Sequence, residues 1–238
     1  MYGYGYGYGY YGFDWTYMLL IIGMLLSLAA SARLKSTFSY YRRIRSASGL
    51  TGAETAERIL RAAGITDVHV RAISGSLTDH YDPRTKTVSL SEDIYDKTSL
   101  AAVGVAAHEC GHAIQHAIGY APLEFRSAIV PVANFGSTLS WPLFLIGLFS
   151  GIRPLVTAGI VLFSLAVLFQ LVTLPVEINA SSRALKMLQS TGILGSDETK
   201  GARKVLTAAA MTYVAALAAS ILQLLRLLIL AGGRRRDD

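Results

Sequence analysis

The chain has 238 residues, 52% hydrophobic and only 16% charged, against roughly 25% charged in an ordinary soluble domain. With a mean hydropathy of +0.41, this excludes a disordered chain and an ordinary soluble globule and points to a membrane protein. The net charge of +6 sits beside apolar runs, so it reads as a set of topology signals rather than a nucleic-acid surface, and a lone Cys110 excludes an intrachain disulfide or a cysteine zinc cluster.

Residues 1–12, MYGYGYGYGYYG, form a low-complexity Tyr-Gly repeat without apolar periodicity, expected as a flexible tail. Residues 13–32 read as a transmembrane helix: the run from Trp15 to Ala32 is uncharged, long enough to span, and led by the interfacial rings of Trp15 and Tyr17. A cleaved signal peptide needs a basic segment before its apolar run. Here only Asp14 precedes the run, whereas Arg33, Lys35, Arg42, Arg43 and Arg45 follow it. That asymmetry predicts an uncleaved span with the N-terminus outside and residue 33 onward in the cytoplasm. The basic cluster is read as a topology signal, with attraction to anionic lipid as its alternative.

Residues 33–121 are the main polar section and the expected catalytic domain. Thr51 and Glu54 fit a capping box, Ala56, Ile59, Leu60 and Ala63 form an apolar stripe, and Gly64 fits a C-terminal cap. Residues 67–73 alternate as a strand, Asp82-Pro83 starts a turn, and Thr87–Ser91 alternates as a half-exposed strand. Residues 98–118 read as one helix. Two further apolar runs within 128–175, split by a short Gly-Ile-Arg-Pro linker, predict a transmembrane hairpin. Residues 176–204 return to polar helix. The last run, 205–231, is interrupted by Gln223 and Arg226 and followed by Arg234, Arg235 and Arg236. If all four runs cross, that basic tail lies outside, against the positive-inside tendency, so three spans are predicted firmly and the fourth is left open.

The chemistry lies in His108-Glu109-Cys110-Gly111-His112. On a helix, positions i and i+4 share a face one turn apart, so two imidazoles can reach one Zn²⁺. Glu109 is placed to act as general base on a zinc-activated water, and zinc lowers the pKa of such water toward about 7. Cys110 falls on the other side of the helix and is not counted as a ligand. A catalytic site needs a third protein ligand. His116, His80, His69 and a distant carboxylate are the candidates. His116 is about 12 Å from His108 along a straight helix axis, too far to share one ion easily. Glu177, in LPVEINASSRAL, is an acid at a membrane edge and the stronger candidate. Ala180 and Ser181 follow it; small side chains allow close helix approach, and Ser181 at i+4 is placed to hydrogen-bond a ligating histidine.

Three stretches, LTDHYDPRTKTVSLSEDIY, VAAHECGHAIQHA and LPVEINASSRAL, resemble the YugP-type bacterial membrane zinc metallopeptidases over nearly the whole chain. Their order is also similar to the HtpX-type membrane peptidases, in which a Glu-x-x-Ala motif follows a pair of spans. The resemblance implies a gluzincin, with His108, His112 and Glu177 as zinc ligands and Glu109 as catalytic base. Ser181 stands where the HtpX-type pattern usually has Asp, and the Tyr-Gly tail has no counterpart in either pattern. By the same similarity, the strand Thr87–Leu90 would form an edge beside the catalytic helix, and substrates would add to it as a strand. His80, Tyr81 and Arg183 are the side-chain candidates for holding the oxyanion, with Arg183 alternatively pairing near the site.

The expected fold is therefore α+β and mostly helical: a zincin-like catalytic domain with a short edge-strand pair, joined to three or four transmembrane helices. The expected function is a multi-pass membrane zinc endopeptidase whose site faces the cytoplasm, with a peptide or protein substrate and the lipid bilayer as partners and no nucleic acid. The alternative is a non-proteolytic zinc-binding membrane scaffold or sensor, which would need a fourth protein ligand. The small-residue run Ala208–Ala219 suits close helix packing within or between chains, leaving the oligomeric state open.

Overall fold

The computed structural model describes residues 14–233, so the Tyr-Gly tail and the terminal basic cluster lie outside the described residues. Six helices and three strands follow in the order α1 (Tyr17–Tyr41), α2 (Gly52–Ala62), β1 (His69–Ile73), β2 (His80–Asp82), β3 (Thr87–Ser91), α3 (Leu100–Ala117), α4 (Ala121–Ser150), α5 (Arg153–Ser190) and α6 (Ser196–Gly233). Helices α1, α4, α5 and α6 are each long and apolar enough to cross a membrane.

Local chemistry accounts for the boundaries. Thr51 caps α2: its hydroxyl accepts from the Glu54 amide at 3.1 Å, while the Glu54 carboxylate accepts from the Thr51 amide at 2.8 Å. Ala56, Ile59 and Leu60 of the predicted stripe are buried. The Ser99 hydroxyl accepts from the Ala102 amide and starts α3. Gly151, left-handed at φ +72°, ends α4 and turns the chain into α5.

The long helices extend beyond the apolar runs. α4 begins at Ala121 and so carries Arg126 into the bundle, and α5 is continuous from the hairpin through Glu177 to Ser190. α6 lies antiparallel to α1. Gly23 packs on Ala219 and Tyr41 on Gly201, so eighteen residues along α1 match eighteen back along α6. Arg226 lies over the Tyr17 ring at 4.5 Å. α6 therefore runs beside α1 over the length of that first helix.

The sheet corrects two expectations. Its order is β1-β3-β2, with β1 parallel to β3 (His69 opposite Thr87) and β2 antiparallel to it (His80 opposite Ser89). Thr87–Ser91 is thus the central strand, not the edge, and all five residues are buried rather than half-exposed. Its serines are paired: Ser89 accepts from Arg71 Nε at 3.0 Å, and Ser91 donates its amide and hydroxyl to the Asp79 carboxylate at 2.7 and 3.0 Å. The edge beside α3 is β2. The core joins α2, β3 and α3 to the C-terminal part of α5 and the start of α6.

Candidate metal centre

His108 and His112 stand one turn apart on α3, with ring centroids 4.8 Å apart. What brings a third group to them is the approach of α5. Gly111 faces Ala180 so closely that a Cβ at position 111 would lie 2.4 Å from the Ala180 carbonyl oxygen. This contact carries Glu177, three residues earlier on α5, to the histidines. Glu177 Oε2 lies 3.3 Å from His108 Nε2 and 3.5 Å from His112 Nε2. The three side chains offer ligand atoms within 4.8 Å of one another, and among the described residues this group has three members.

The outer faces of both rings are held. Ser181 Oγ is 3.1 Å from His108 Nδ1, at the i+4 position expected for it. His112 Nδ1 is 3.0 Å from Gln115 Oε1. The Gln115 amide nitrogen donates to Val176 O at 2.8 Å and to Asn179 Oδ1 at 3.0 Å, so its oxygen is the acceptor and His112 Nδ1 carries the proton. That tautomer leaves Nε2 free to bind a cation. The donor set of two imidazoles and one carboxylate fits zinc with an open fourth position. Burial of the His112 ring acts to lower its pKa, but the Glu177 and Glu109 carboxylates and the Gln115 hydrogen bond together outweigh it and the value rises, so protons and a cation compete for this imidazole.

The three residues line a cavity of about 700 Å³. Glu109, 7% exposed, lines it beside His108 and His112. His80 and Tyr81 of edge strand β2 line it, as do Arg126 of α4, Glu177 of α5 and Tyr213 of α6. The Tyr81 hydroxyl is 2.9 Å from His116 Nδ1, which ties β2 to α3. Burial raises the Tyr81 phenol above its ordinary pKa, with Asp67 and Asp82 adding to the effect, so it stays neutral.

The other sequence candidates fall in distinct places. His80 lines the cavity, exposed, with Nδ1 at 2.9 Å from Thr78 O. Arg183 does not line it: its Nε donates to Asn179 Oδ1 at 2.7 Å, which places it behind the Gln115–His112 pair, and its guanidinium lies over Tyr120. His116 is outside the ligand group, and His69 is exposed on β1. The Cys110 thiol is fully buried, points to the Ala56 carbonyl at 3.6 Å, and is pushed well up by burial.

Two cavity residues escape a reading of the sequence. Arg126 Nη1 is 3.7 Å from Glu177 Oε1, and its Nε is buried without a partner. Tyr213 faces the same carboxylate from α6. A cation just ahead of an apolar run was a usable signal for Arg126; a tyrosine among alanines gave none for Tyr213.

Comparisons with known proteins bear on the family and its metal. The family described as "Putative neutral zinc metallopeptidase" matches residues 16–232. A protein of Bacillus subtilis (strain 168) named "Putative membrane protease YugP" is 49% identical over 217 residues, covering 91% of this chain and 96% of the relative. No solved structure matches the chain. With nearly every described residue inside the match, the chain belongs to this zinc metallopeptidase family, and His108, His112 and Glu177 form a group that could hold its metal.

Proposed function

We propose that this chain is an integral-membrane zinc endopeptidase, with His108, His112 and Glu177 as ligands and Glu109 as general base. The observation that carries the reading is a group of three potential ligands lining a cavity that Glu109 and the edge strand β2 also line. Zinc, when bound, supplies a Lewis acid that polarises a carbonyl and makes water acidic enough to react near neutral pH.

The chain's own groups do the rest. A peptide lies along β2, whose outer edge is unpaired, and gains backbone hydrogen bonds there. The Glu109 carboxylate takes a proton from the attacking water and delivers it to the leaving amine. Tyr213, Arg126 and His80 line the same cavity, and their O–H and N–H groups stabilise the oxyanion. Ser181 and Gln115 keep both imidazoles oriented. The basic residues that follow the first apolar run, with only Asp14 just ahead of it, support a site that faces the cytoplasm.

The test is cleavage of an unfolded protein by the purified, detergent-solubilised chain. Cleavage should stop when a chelator removes zinc and return when zinc is restored. A fully zinc-loaded chain that cleaves neither unfolded proteins nor a peptide library would contradict the proposal.

A further inference from the structure

A second cavity, of about 590 Å³, lies between α1 and α6, on a face of that pair distinct from the one lining the metal centre. Its walls bring together cations from opposite ends of the sequence: Arg33 from α1, and Arg203 and Lys204 from α6. All three are exposed, and among the described residues no carboxylate pairs with any of them. On the antiparallel register Arg33 is level with residue 209, so Lys204 lies about 7–8 Å further along the axis at 1.5 Å per residue.

The groove also changes character along its length. Thr37 and Thr207 add hydroxyls between the cations, and beyond Thr207 the α6 wall becomes Ala208 and Met211. Past that point both helices continue as apolar, membrane-length segments. Arg203 and Lys204 at one end, hydroxyls next to them, and Arg33 level with an apolar wall at the other end match an amphiphile with an anionic head. Free phosphate satisfies the cations but leaves the apolar end unused. The charge on α6 is also more than a topology signal requires, because it converges with Arg33 on one groove instead of spreading round the helix.

We propose that this groove binds the phosphate headgroup of an anionic phospholipid, with Arg33, Arg203 and Lys204 around the phosphate and the acyl chains running down α1 and α6. Arg33, the cation nearest the apolar end, lays its aliphatic stem along that wall and lifts its guanidinium to the headgroup.

The test is native mass spectrometry of the whole detergent-solubilised chain, titrated with phosphatidylglycerol or with phosphatidylcholine of the same acyl chains. Phosphatidylglycerol should be retained about tenfold more strongly, and R203Q/K204Q should weaken that retention about tenfold. R61Q/K97Q removes the same charge at exposed positions outside the groove and should leave retention unchanged. Thr207→Trp fills the groove without changing charge and should also abolish retention, which covers the case in which the double variant folds poorly. Equal weakening by R61Q/K97Q would overturn the proposal in favour of a diffuse field. Full retention by Thr207→Trp, or no preference over phosphatidylcholine, would overturn it outright. Displacement by excess inorganic phosphate would overturn the lipid and leave a free-anion site.

Discussion

Replacing Gly111 by alanine tests how the metal centre is assembled. The new methyl would sit 2.4 Å from the Ala180 carbonyl oxygen and 3.0 Å from its carbonyl carbon, both rigid backbone atoms. Ordinary contact begins near about 3.5 Å, so α3 and α5 must part by about 1 Å. Overpacking of this kind costs about 1–3 kcal/mol. Glu177 is less than one turn from Ala180 and must move with it, whereas metal–ligand distances tolerate only about 0.2 Å. The strain therefore falls on the His108, His112 and Glu177 group, and zinc affinity should drop about 10- to 100-fold. Competition with a fluorescent zinc chelator reads this directly, with helicity as the control for folding. Gly104→Ala is the matched comparison on the same helix: its Cβ meets the Ala202 Cβ at 3.4 Å, an ordinary contact, and zinc affinity should not change. A folded Gly111→Ala chain that binds zinc like the wild type would refute the idea that this contact sets the ligand geometry.

Gln115→Leu removes the acceptor for His112 Nδ1 and should lower zinc affinity about 10- to 100-fold, measured by the same competition. Tyr213→Phe deletes only a hydroxyl; if it stabilises the oxyanion, kcat should fall about 10²- to 10³-fold with zinc retained and KM little changed. An unchanged kcat would remove Tyr213 from the mechanism. Thr51→Ala breaks the capping box of α2 and should cost about 1 kcal/mol in reversible denaturation. Asp79 gives a pH test. Burial raises its pKa, against the hydrogen bonds from Ser91. A raised folded pKa means that the contribution of Asp79 to stability is full below the ordinary carboxylate range and is lost as pH rises through the folded value. The stability of the wild type relative to Asp79→Asn should therefore decline on going from acid to neutral pH, and a flat difference would show that Asp79 is not desolvated as the structure implies.

The candidate site was legible where it depends on local spacing. His108 and His112 share a helical face because they are four residues apart, and Ser181 reaches His108 because it follows Glu177 by the same interval. Glu177 stood out as an acid at the end of an apolar run. Other features depend on contacts that no local window contains. Ser89 and Ser91 read as a solvent face because their partners, Arg71 and Asp79, lie on other segments, and a strand with its serines paired is free to take the centre of the sheet. The parallel crossover from β1 to β3 likewise displaced the edge to the three-residue β2, too short for an alternation signal. Arg183 was the nearest cation in sequence to Glu177, yet α5 turns it toward Asn179, while Arg126 and Tyr213 arrive from α4 and α6. The run of small residues around Tyr213 gave only packing information, and its position opposite Glu177 follows from how α6 lies on α5.

The central claim, that Glu109 serves as the base beside a zinc held by the other three residues, is tested most directly by comparing the purified wild type with Glu109→Gln while counting bound zinc in both. Cleavage of an unfolded protein by the wild type, lost by more than about 10²-fold in a variant that still holds one zinc per chain, is the predicted result. Equal cleavage by the two zinc-loaded proteins would contradict the account.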